Sequence, residues 1–406
     1  MVDYKTPKRD YEFILKEILD VENQIKGYKG YEEATWDMIE MLSDQYSEVA
    51  TDYWLPSNKD GDELGAQFED GNVTLPPSMK AASKIIIDSG LTSLFGHKEY
   101  GGMEFPHVFN VFADEISCSS NMALGIYMGL TKGAYHCIHS HGSEELKNFY
   151  LPKFLTGEFF GTMCLTEAHC GTDLGLIRTT AKEEGDAYRI SGQKIFISAG
   201  EHDLSENIIH LVLARLPDSP EGVKGISLFL VPKILVDNEG NLGDRNNVNC
   251  VSIEEKMGVH GSATCVLSFE NSLGYLVGEP NKGLQAMFSM MNTERIAVGM
   301  QGLGLSEIAY QNGLSYAKDR IQGRDLKEHK NPEMEADPLL VHPDVRRMLL
   351  RSKALIDGSR MLACWTALAV DKSVKDPDPS VRKENSDLVE LMTPIVKALL
   401  TDFGIE

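Results

Sequence analysis

Residues 142–173, GSEELKNFYLPKFLTGEFFGTMCLTEAHCGTD, are the stretch from which the rest of this chain is interpreted. The stretch joins a polar helix start, a Tyr-Leu-Pro stop and a Gly-Glu turn to an apolar run. The run opens into residues 165–167 (Leu-Thr-Glu) and then residues 171–173 (Gly-Thr-Asp). Because these closing residues are small and polar, their hydroxyls and backbone amides are free to hydrogen-bond a planar ligand.

Upstream of this stretch the spacing of apolar residues is helical. They recur at intervals of three and four between residues 11 and 19, and Pro7 stands where a first helical turn tolerates proline. Residues 36–49 repeat the spacing, and Pro76-Pro77 opens a third helix. We therefore expect an N-terminal helical domain over residues 1–158.

Beyond residue 159 the period of the pattern changes to two. Residues 187–191 and 194–198 flank Gly192-Gln193, which is a hairpin signal. Three further β-rich runs follow, at residues 208–215, 226–231 and 264–269. The pattern predicts a middle domain over residues 159–275, built as a small antiparallel β-barrel or sandwich.

The remainder, residues 276–406, is helical again. Its helices are expected at residues 283–320, 343–372 and 380–403, with polar stretches between them, and residues 328–338 are expected to be a solvated acidic surface. The glycine-rich run at residues 299–304 lies within a helical pattern, so it predicts close helix packing and not a dinucleotide loop. The fold class is thus mainly α with a β domain.

Composition narrows the class of protein. With 406 residues, of which 42% are hydrophobic, the chain can build a large core in two or three cooperating units. A net charge of −22 disfavours binding to nucleic acids and to anionic lipid surfaces. No apolar run is long enough to span a bilayer. Seven cysteines without a CxxC pair favour reduced thiols, and the charged N-terminus is no signal peptide, so we expect a cytoplasmic protein.

A metal site is not expected from the sequence. Residues 136–141 contain three histidines and a cysteine, but their spacing matches no standard ligand set and no second cluster appears.

The motifs as a group resemble the acyl-CoA dehydrogenase family. Its pattern is roughly G-[ST]-E-E-x-K-x-x-Y-L-P-x-L-x-x-G-E followed by L-T-E-P-x-A-G-[ST]-D, and Glu-Tyr-Gly-Gly at residues 99–102 also matches it. The matching residues of the second motif include Thr166, Gly171, Thr172 and Asp173, whereas Ala168 replaces the usual proline and Cys170 the usual alanine. The resemblance implies an N-terminal helical domain, a β domain and a C-terminal four-helix-bundle domain.

The resemblance also implies a cofactor and a reaction. The cofactor is FAD, and the reaction converts an acyl-CoA thioester to the trans-2-enoyl-CoA, with electrons passed on to an electron-transfer flavoprotein. The implied FAD-binding residues are Leu165, Thr166, Gly171, Thr172, Phe196, Ile197 and Ser198, with Arg320 contacting the pyrophosphate of a neighbouring subunit in a homodimer or homotetramer. Taken without the family, residues 196 and 197 simply alternate in a sheet and the threonines bond their own turns.

Substrate contacts are implied for Thr172, Asn292 and Arg295. Residues 287, 291, 294 and 298 share one helical face, which places Glu294 on an apolar stripe. A carboxylate in such surroundings suits a proton-abstracting base, and some family members carry their catalytic glutamate at this position. The plainer interpretation is a solvated or ion-paired helix glutamate.

Two expected motifs are missing. The chain contains no Gln-x-x-Gly-Gly segment and no Tyr-Glu-Gly motif, whose glutamate is the family's usual base. We therefore expect a C-terminally truncated form of the longer family members, which carry an added C-terminal domain. Two alternatives stay open: a catalytically silent protein that binds flavin or acyl-CoA, and a DNA-associated relative. The second is opposed by 61 acidic against 39 basic residues.

Overall fold

The computed structural model describes residues 4–237 and 239–406, except for the side chains of residues 289, 292 and 293. The chain divides into two compact units. The first comprises Met1–Leu55, Pro106–Ser120 and Arg295–Glu406, and the second comprises Pro56–Phe105 and Asn121–Glu294. Among the described helices, none is both long and apolar enough to cross a bilayer.

Helices dominate the first unit and the beginning of the second. They are α1 (Lys8–Glu12), α2 (Val21–Gln24), α3 (Trp36–Val49), α4 (Leu55–Glu63), α5 (Pro77–Asp88), α6 (His107–His141), α7 (Glu144–Leu155), α8 (Gly283–Asp319), α9 (Pro343–Lys375) and α10 (Pro379–Ile405). Short π-helical segments occupy Phe13–Ile18 and Ala50–Trp54. The three C-terminal helices predicted from the spacing are confirmed.

Local chemistry sets the helix ends near the site. The Ser143 hydroxyl accepts a hydrogen bond from the Leu146 N–H at 3.3 Å and so caps the first turn of α7. Helix α6 is interrupted at Asn121, whose backbone is not helical (φ −153°, ψ 91°). The Asn121 side-chain oxygen accepts from the Leu124 N–H at 3.1 Å, so this residue caps the second part of α6.

The strands lie in the second unit. They are β1 (Gln67–Glu69), β2 (Asn72–Thr74), β3 (Phe159–Cys164), β4 (Thr180–Glu184), β5 (Ala187–Ser198), β6 (Asn207–Arg215), β7 (Ile226–Pro232), β8 (Ile234–Val236), β9 (Leu242–Arg245), β10 (Val248–Ile253) and β11 (Thr264–Val277). The hairpin β1–β2 was not foreseen, because its two strands have three residues each.

The main sheet has seven strands and closes on itself. Strands β11, β5, β4, β6 and β7 form a ring, because β7 pairs with both β6 and β11. The predicted barrel is therefore confirmed. The sheet is mixed, however, and not purely antiparallel, since β3 runs parallel to β6. The long connection through β4 and β5 between these two strands permits the parallel pairing.

The hairpin predicted around Gly192-Gln193 is wrong. Strand β5 is continuous from Ala187 to Ser198, and the turn lies between β4 and β5, where Glu184 pairs with Ala187. Gly192 serves close packing instead, because a Cβ atom there would lie 2.5 Å from the Thr179 hydroxyl.

Two histidines are buried around the barrel without charge. His210 lies on β6 against Phe269, and His202 packs between Tyr127 and Phe160. Burial, with a smaller contribution from the charge of Lys233, lowers the pKa of each imidazole to about 3. Both histidines are therefore neutral at physiological pH.

In the first unit, a carboxylate of one helix caps another helix. Asp371 on α9 accepts hydrogen bonds from the N–H groups of His107 at 2.7 Å and Val108 at 3.0 Å, and from the Tyr31 hydroxyl at 2.7 Å. These N–H groups belong to the first turn of α6, where no intrahelical acceptor exists. Burial raises the pKa of the Asp371 carboxyl to about 7.

The glycine-rich run in α8 behaves as predicted. A Cβ atom at Gly302 would lie 2.3 Å from the Leu400 carbonyl oxygen, and one at Gly304 would lie 2.8 Å from the Cys118 Cβ. Close helix packing is thus confirmed. The acidic loop is mostly exposed, as predicted, but Asp337 is fully buried and accepts hydrogen bonds from the N–H groups of Asp325 and Asn331.

Candidate functional site

The first element of the candidate site is the end of strand β3. The strand is buried through Cys164, and Leu165 and Thr166 emerge half-buried beyond it. The chain then reverses, because Glu167 and Cys170 exchange backbone hydrogen bonds of 2.9 and 3.0 Å. The reversal leaves residues 171–173 exposed, so the polar end of the motif faces solvent.

The second element is a bulge in strand β5. The pairing of β5 with β11 slips between Lys194 and Ile197, so two residues of β5 oppose one residue of β11. Within this bulge Phe196 has a φ of +58°, and its side chain is 59% exposed. An aromatic residue in this left-handed conformation is strained, and such strain is concentrated at functional sites. Ile197 is buried and Ser198 is half-buried.

Three hydrogen bonds join the two elements. The Ile195 N–H donates to the Thr166 carbonyl at 2.9 Å, and the Lys194 ammonium donates to the Leu165 carbonyl at 2.9 Å. The Thr162 hydroxyl donates to the Ser198 carbonyl at 2.6 Å. The structure therefore brings together the backbones of the predicted FAD-binding residues from β3 and β5.

A buried ion pair lies beneath this junction. Lys194 and Glu167 are 2.9 Å apart, with side chains 0% and 5% exposed. Burial lowers the pKa of the Lys194 ammonium. Burial acts to raise the pKa of the Glu167 carboxyl, but the charge of Lys194 and hydrogen bonds from Thr179 and Arg178 bring that pKa below its usual value. The sequence analysis missed this pair, which fixes residues 165–167 against β5.

Small residues permit the tight path of the loop. A Cβ atom at Gly171 would lie 3.2 Å from the Thr166 side chain, so a larger residue would crowd that threonine. The Asp173 carboxylate accepts from the Gly175 N–H at 3.1 Å and caps the short turn Leu174–Leu176. Thr166 and Thr172 are thus held at the two ends of one short segment.

The predicted base lies near the beginning of α8. A Cβ atom at Gly133 of α6 would lie 2.8 Å from Glu294 Oε1, so the carboxylate lies directly against this glycine. Met287 is fully buried on the same helical face, and Met291 is half-buried in the same core cluster. The predicted apolar setting of Glu294 is therefore present at these two positions.

The other predicted residues are less closely defined. Arg295 is half-buried, and the side chain of Asn292 lies outside the described residues. Arg320 follows the last residue of α8 in the first unit, is exposed, and donates to the Gln322 side chain at 3.3 Å. Its exposure leaves the guanidinium accessible to an anionic group. The roles of all three residues remain predictions.

The exposure and chemistry of these residues decide whether they fit a flavin. An isoalloxazine ring needs an aromatic or apolar surface and several hydrogen-bond donors at its polar edge. Phe196 offers an exposed aromatic face, and the hydroxyls of Thr166, Thr172 and Ser198 belong to residues that are half-buried or exposed. The residues present therefore fit a flavin.

Two family profiles match the chain. The acyl-CoA dehydrogenase N-terminal domain matches residues 39–158, and the acyl-CoA dehydrogenase middle domain matches residues 162–272.

Similar proteins carry related names. A 3-methylmercaptopropionyl-CoA dehydrogenase from Ruegeria pomeroyi is 44% identical over 99% of this chain and 68% of its own length. A butyryl-CoA dehydrogenase from Syntrophomonas wolfei is 35% identical over 99% of this chain and 67% of its own length. An acyl-CoA dehydrogenase from Bacillus anthracis, solved in complex with FAD, shares the fold with a TM-score of 0.72 at 21% identity, covering 92% of this chain and 59% of that one.

These similarities confirm the family and the fold class predicted from the motifs, and the first relative confirms the resemblance to the longer members. The chain therefore belongs to the acyl-CoA dehydrogenase family of FAD-dependent oxidoreductases.

Proposed function

We propose that this chain binds FAD at residues 165–172 and 196–198 and oxidises an acyl-CoA thioester to the trans-2-enoyl-CoA. Bound FAD would supply the hydride acceptor of this oxidation. The chain's own residues would hold the flavin edge, orient the thioester and remove the α-proton. The substrate contacts proposed for them involve Thr172, Asn292 and Arg295.

One observation carries the flavin assignment most strongly. The exposed, strained Phe196 is joined to the Thr166 segment through the Ile195–Thr166 hydrogen bond and the buried Lys194–Glu167 ion pair. A buried ion pair beneath an exposed aromatic residue holds two short segments in a fixed relation, which is the preorganisation that cofactor binding requires. An ordinary surface loop has no need of this support.

Glu294 is proposed as the base that abstracts the α-proton. Its carboxylate lies against Gly133, and its helical face carries the apolar Met287 and Met291. A carboxylate that is held among apolar side chains and kept from bulk water suits the role of a general base in proton abstraction. The proposal needs no residue beyond those of this chain.

Acceptor and assembly are also proposals. We propose an electron-transfer flavoprotein as the electron acceptor and a homodimer or homotetramer in which Arg320 reaches the pyrophosphate of a neighbouring subunit's FAD. Arginine suits a diphosphate because its planar guanidinium donates paired, charge-assisted hydrogen bonds. A cytoplasmic location is proposed from the family and from the seven cysteines, all of which are buried and outside any disulfide.

The test is a titration of the purified chain with FAD, followed by anaerobic addition of 3-methylmercaptopropionyl-CoA or butyryl-CoA. We expect the flavin to bind and its visible absorption to bleach. Glu294→Gln should keep the bound flavin and slow the bleaching by about 10²–10⁴-fold, because it removes the general base. Glu183→Gln, an exposed glutamate on β4, is the control and should bleach at the parent rate.

Three results would contradict the proposal. Failure of the chain to bind FAD would refute the flavin assignment. Bound flavin that no acyl-CoA bleaches supports the alternative of a catalytically silent flavin-binding protein. Salt-sensitive retention on DNA would favour the DNA-associated relative, against which the net charge of −22 argues.

A further inference from the structure

Three potential metal ligands converge at the reversal after strand β3. Glu167, His169 and Cys170 each offer a ligand atom, and these atoms lie within 4.8 Å of one another. Among the described residues, this is the one group of three or more such side chains whose ligand atoms lie this close together. The two backbone hydrogen bonds between Glu167 and Cys170 close the turn, so the backbone itself brings the three side chains together.

One oxygen of the Glu167 carboxylate can accept a further partner. Its Oε1 accepts from the Thr179 N–H, the Thr179 hydroxyl and the Lys194 ammonium at 2.7–3.1 Å. Its Oε2 accepts a single bond, from the Arg178 N–H at 2.7 Å. Because a carboxylate oxygen has two lone pairs, Oε2 can accept one more partner on the side where His169 lies.

The distance between Oε2 and the imidazole suits a bridging ion. Oε2 of Glu167 lies 3.8 Å from Nε2 of His169. Oxygen and nitrogen ligands placed about 2.0–2.1 Å from a tetrahedral zinc ion are about 3.3 Å apart. A closure of roughly half an ångström, within the reach of the histidine side chain, would therefore bring these two ligand atoms to the separation that a shared zinc ion requires.

His169 and Cys170 differ in their access to solvent. The imidazole is 33% exposed, and its Nε2 lies 2.9 Å from the Leu176 carbonyl, a contact that a bound ion would replace. Cys170 is 7% exposed, and its thiol would release a proton on binding, as metal-bound cysteines do. The exposed side of His169 leaves room for a water molecule as a fourth ligand.

We propose that Glu167, His169 and Cys170 form a binding site for a divalent ion of the zinc class. One carboxylate, one imidazole and one thiolate favour Zn²⁺ or Co²⁺ over Mg²⁺ and Ca²⁺, which prefer oxygen ligands alone. The nearby ammonium of Lys194 repels the ion, so the site is weaker than a structural zinc site. No part of this proposal depends on flavin binding or on acyl-CoA oxidation.

Cobalt provides the test, because a thiolate bound to Co²⁺ gives a charge-transfer absorption and tetrahedral Co²⁺ gives visible bands. The 406-residue chain is dialysed against a chelator, freed of the chelator and titrated with Co²⁺. We expect both absorptions to saturate at one Co²⁺ per chain and to disappear when Zn²⁺ is added. Excess Mg²⁺ should leave them unchanged.

Two variants and a matched control identify the ligands. Cys170→Ala introduces the residue usual for the family and should abolish the charge-transfer absorption, and the exposed His169→Asn should weaken Co²⁺ binding at least about tenfold. Cys364→Ala, which changes another buried and free cysteine, should leave both absorptions intact. Circular dichroism verifies that each variant is folded. Absence of both Co²⁺ absorptions in the parent chain would overturn the proposal. Persistence of the charge-transfer absorption in folded Cys170→Ala would overturn it as well.

Discussion

Replacing Lys194 with methionine tests how the two segments of the candidate site are held together. Methionine keeps the length and the apolar stem of the side chain but removes its charge and its hydrogen-bond donors. The Lys194 side chain is fully buried, and its ammonium contacts Glu167 and the Leu165 carbonyl at 2.9 Å each. The substitution therefore leaves a buried carboxylate without its counter-charge.

The magnitude follows from this burial. Removing one partner of a buried ion pair typically destabilises a protein by about 3–5 kcal/mol. Glu167 retains three hydrogen bonds, from Thr179 and Arg178, so we place the loss near the lower end, at about 3 kcal/mol. The same change should weaken FAD binding, because residues 165–167 lose their fixed position against β5.

The assay is urea unfolding followed by circular dichroism, for Lys194→Met alone and combined with Glu167→Gln. In the Glu167→Gln background the lysine substitution should cost at least about 1 kcal/mol less, since the charge it would strand is absent. Arg189→Met is the control, because Arg189 on the same strand forms an exposed ion pair with Glu184 at 2.6 Å. Equal losses for Lys194→Met and Arg189→Met would refute the reasoning.

Other predictions concern buried groups elsewhere. In the folded chain the pKa values of His202 and His210 are about 3, below the usual value near 6.5. Below pH 6.5 the unfolded chain therefore binds protons that the folded chain does not. The free energy of unfolding should be highest above pH 6.5 and should fall on acidification by about 1.4 kcal/mol per pH unit for each histidine. In urea midpoints measured from pH 7 to pH 5, His210→Phe should halve this slope, and an unchanged slope would contradict it. Gly192→Ala should lower the melting temperature and the free energy of unfolding, the latter by about 1–3 kcal/mol, because the added Cβ atom overpacks the site. Gly129→Ala is the control and should not lower the melting temperature, because a Cβ atom there meets nothing within 4 Å. Asp371→Asn should cost about 2 kcal/mol in urea unfolding, because one N–H of α6 loses its acceptor, and a parent-like midpoint would count against the cap.

Much of the fold could be predicted from the sequence. Helices α8, α9 and α10 have long, regular apolar spacing with proline or glycine at their beginnings, so their limits agree with the prediction within a few residues. The order of helical, β and helical segments could likewise be predicted, because the spacing of apolar residues changes from helical to a period of two and back. The turn predicted at Gly192 is wrong because glycine is typical of both turns and close packing, and only the contact with Thr179 distinguishes the two.

The candidate site was predictable from motifs but not from periodicity. Strict alternation would place Lys194, Phe196 and Ser198 on one face of β5. The bulge breaks this rule, so Lys194 is fully buried while Phe196 is 59% exposed. The partner of Lys194 lies 27 residues away on another segment, and no local pattern indicates such a pairing. The ion pair was therefore visible only once the strands were placed side by side.

In the proposed function, the end of β3 and the bulge of β5 bind one flavin together. Amide hydrogen exchange, measured on the chain with and without FAD, shows whether both segments contact the cofactor. We expect peptides covering residues 165–173 and residues 194–198 both to gain protection on binding, while the mostly exposed hairpin β1–β2 does not. Saturating FAD that leaves either of the two peptides unprotected would contradict the claim.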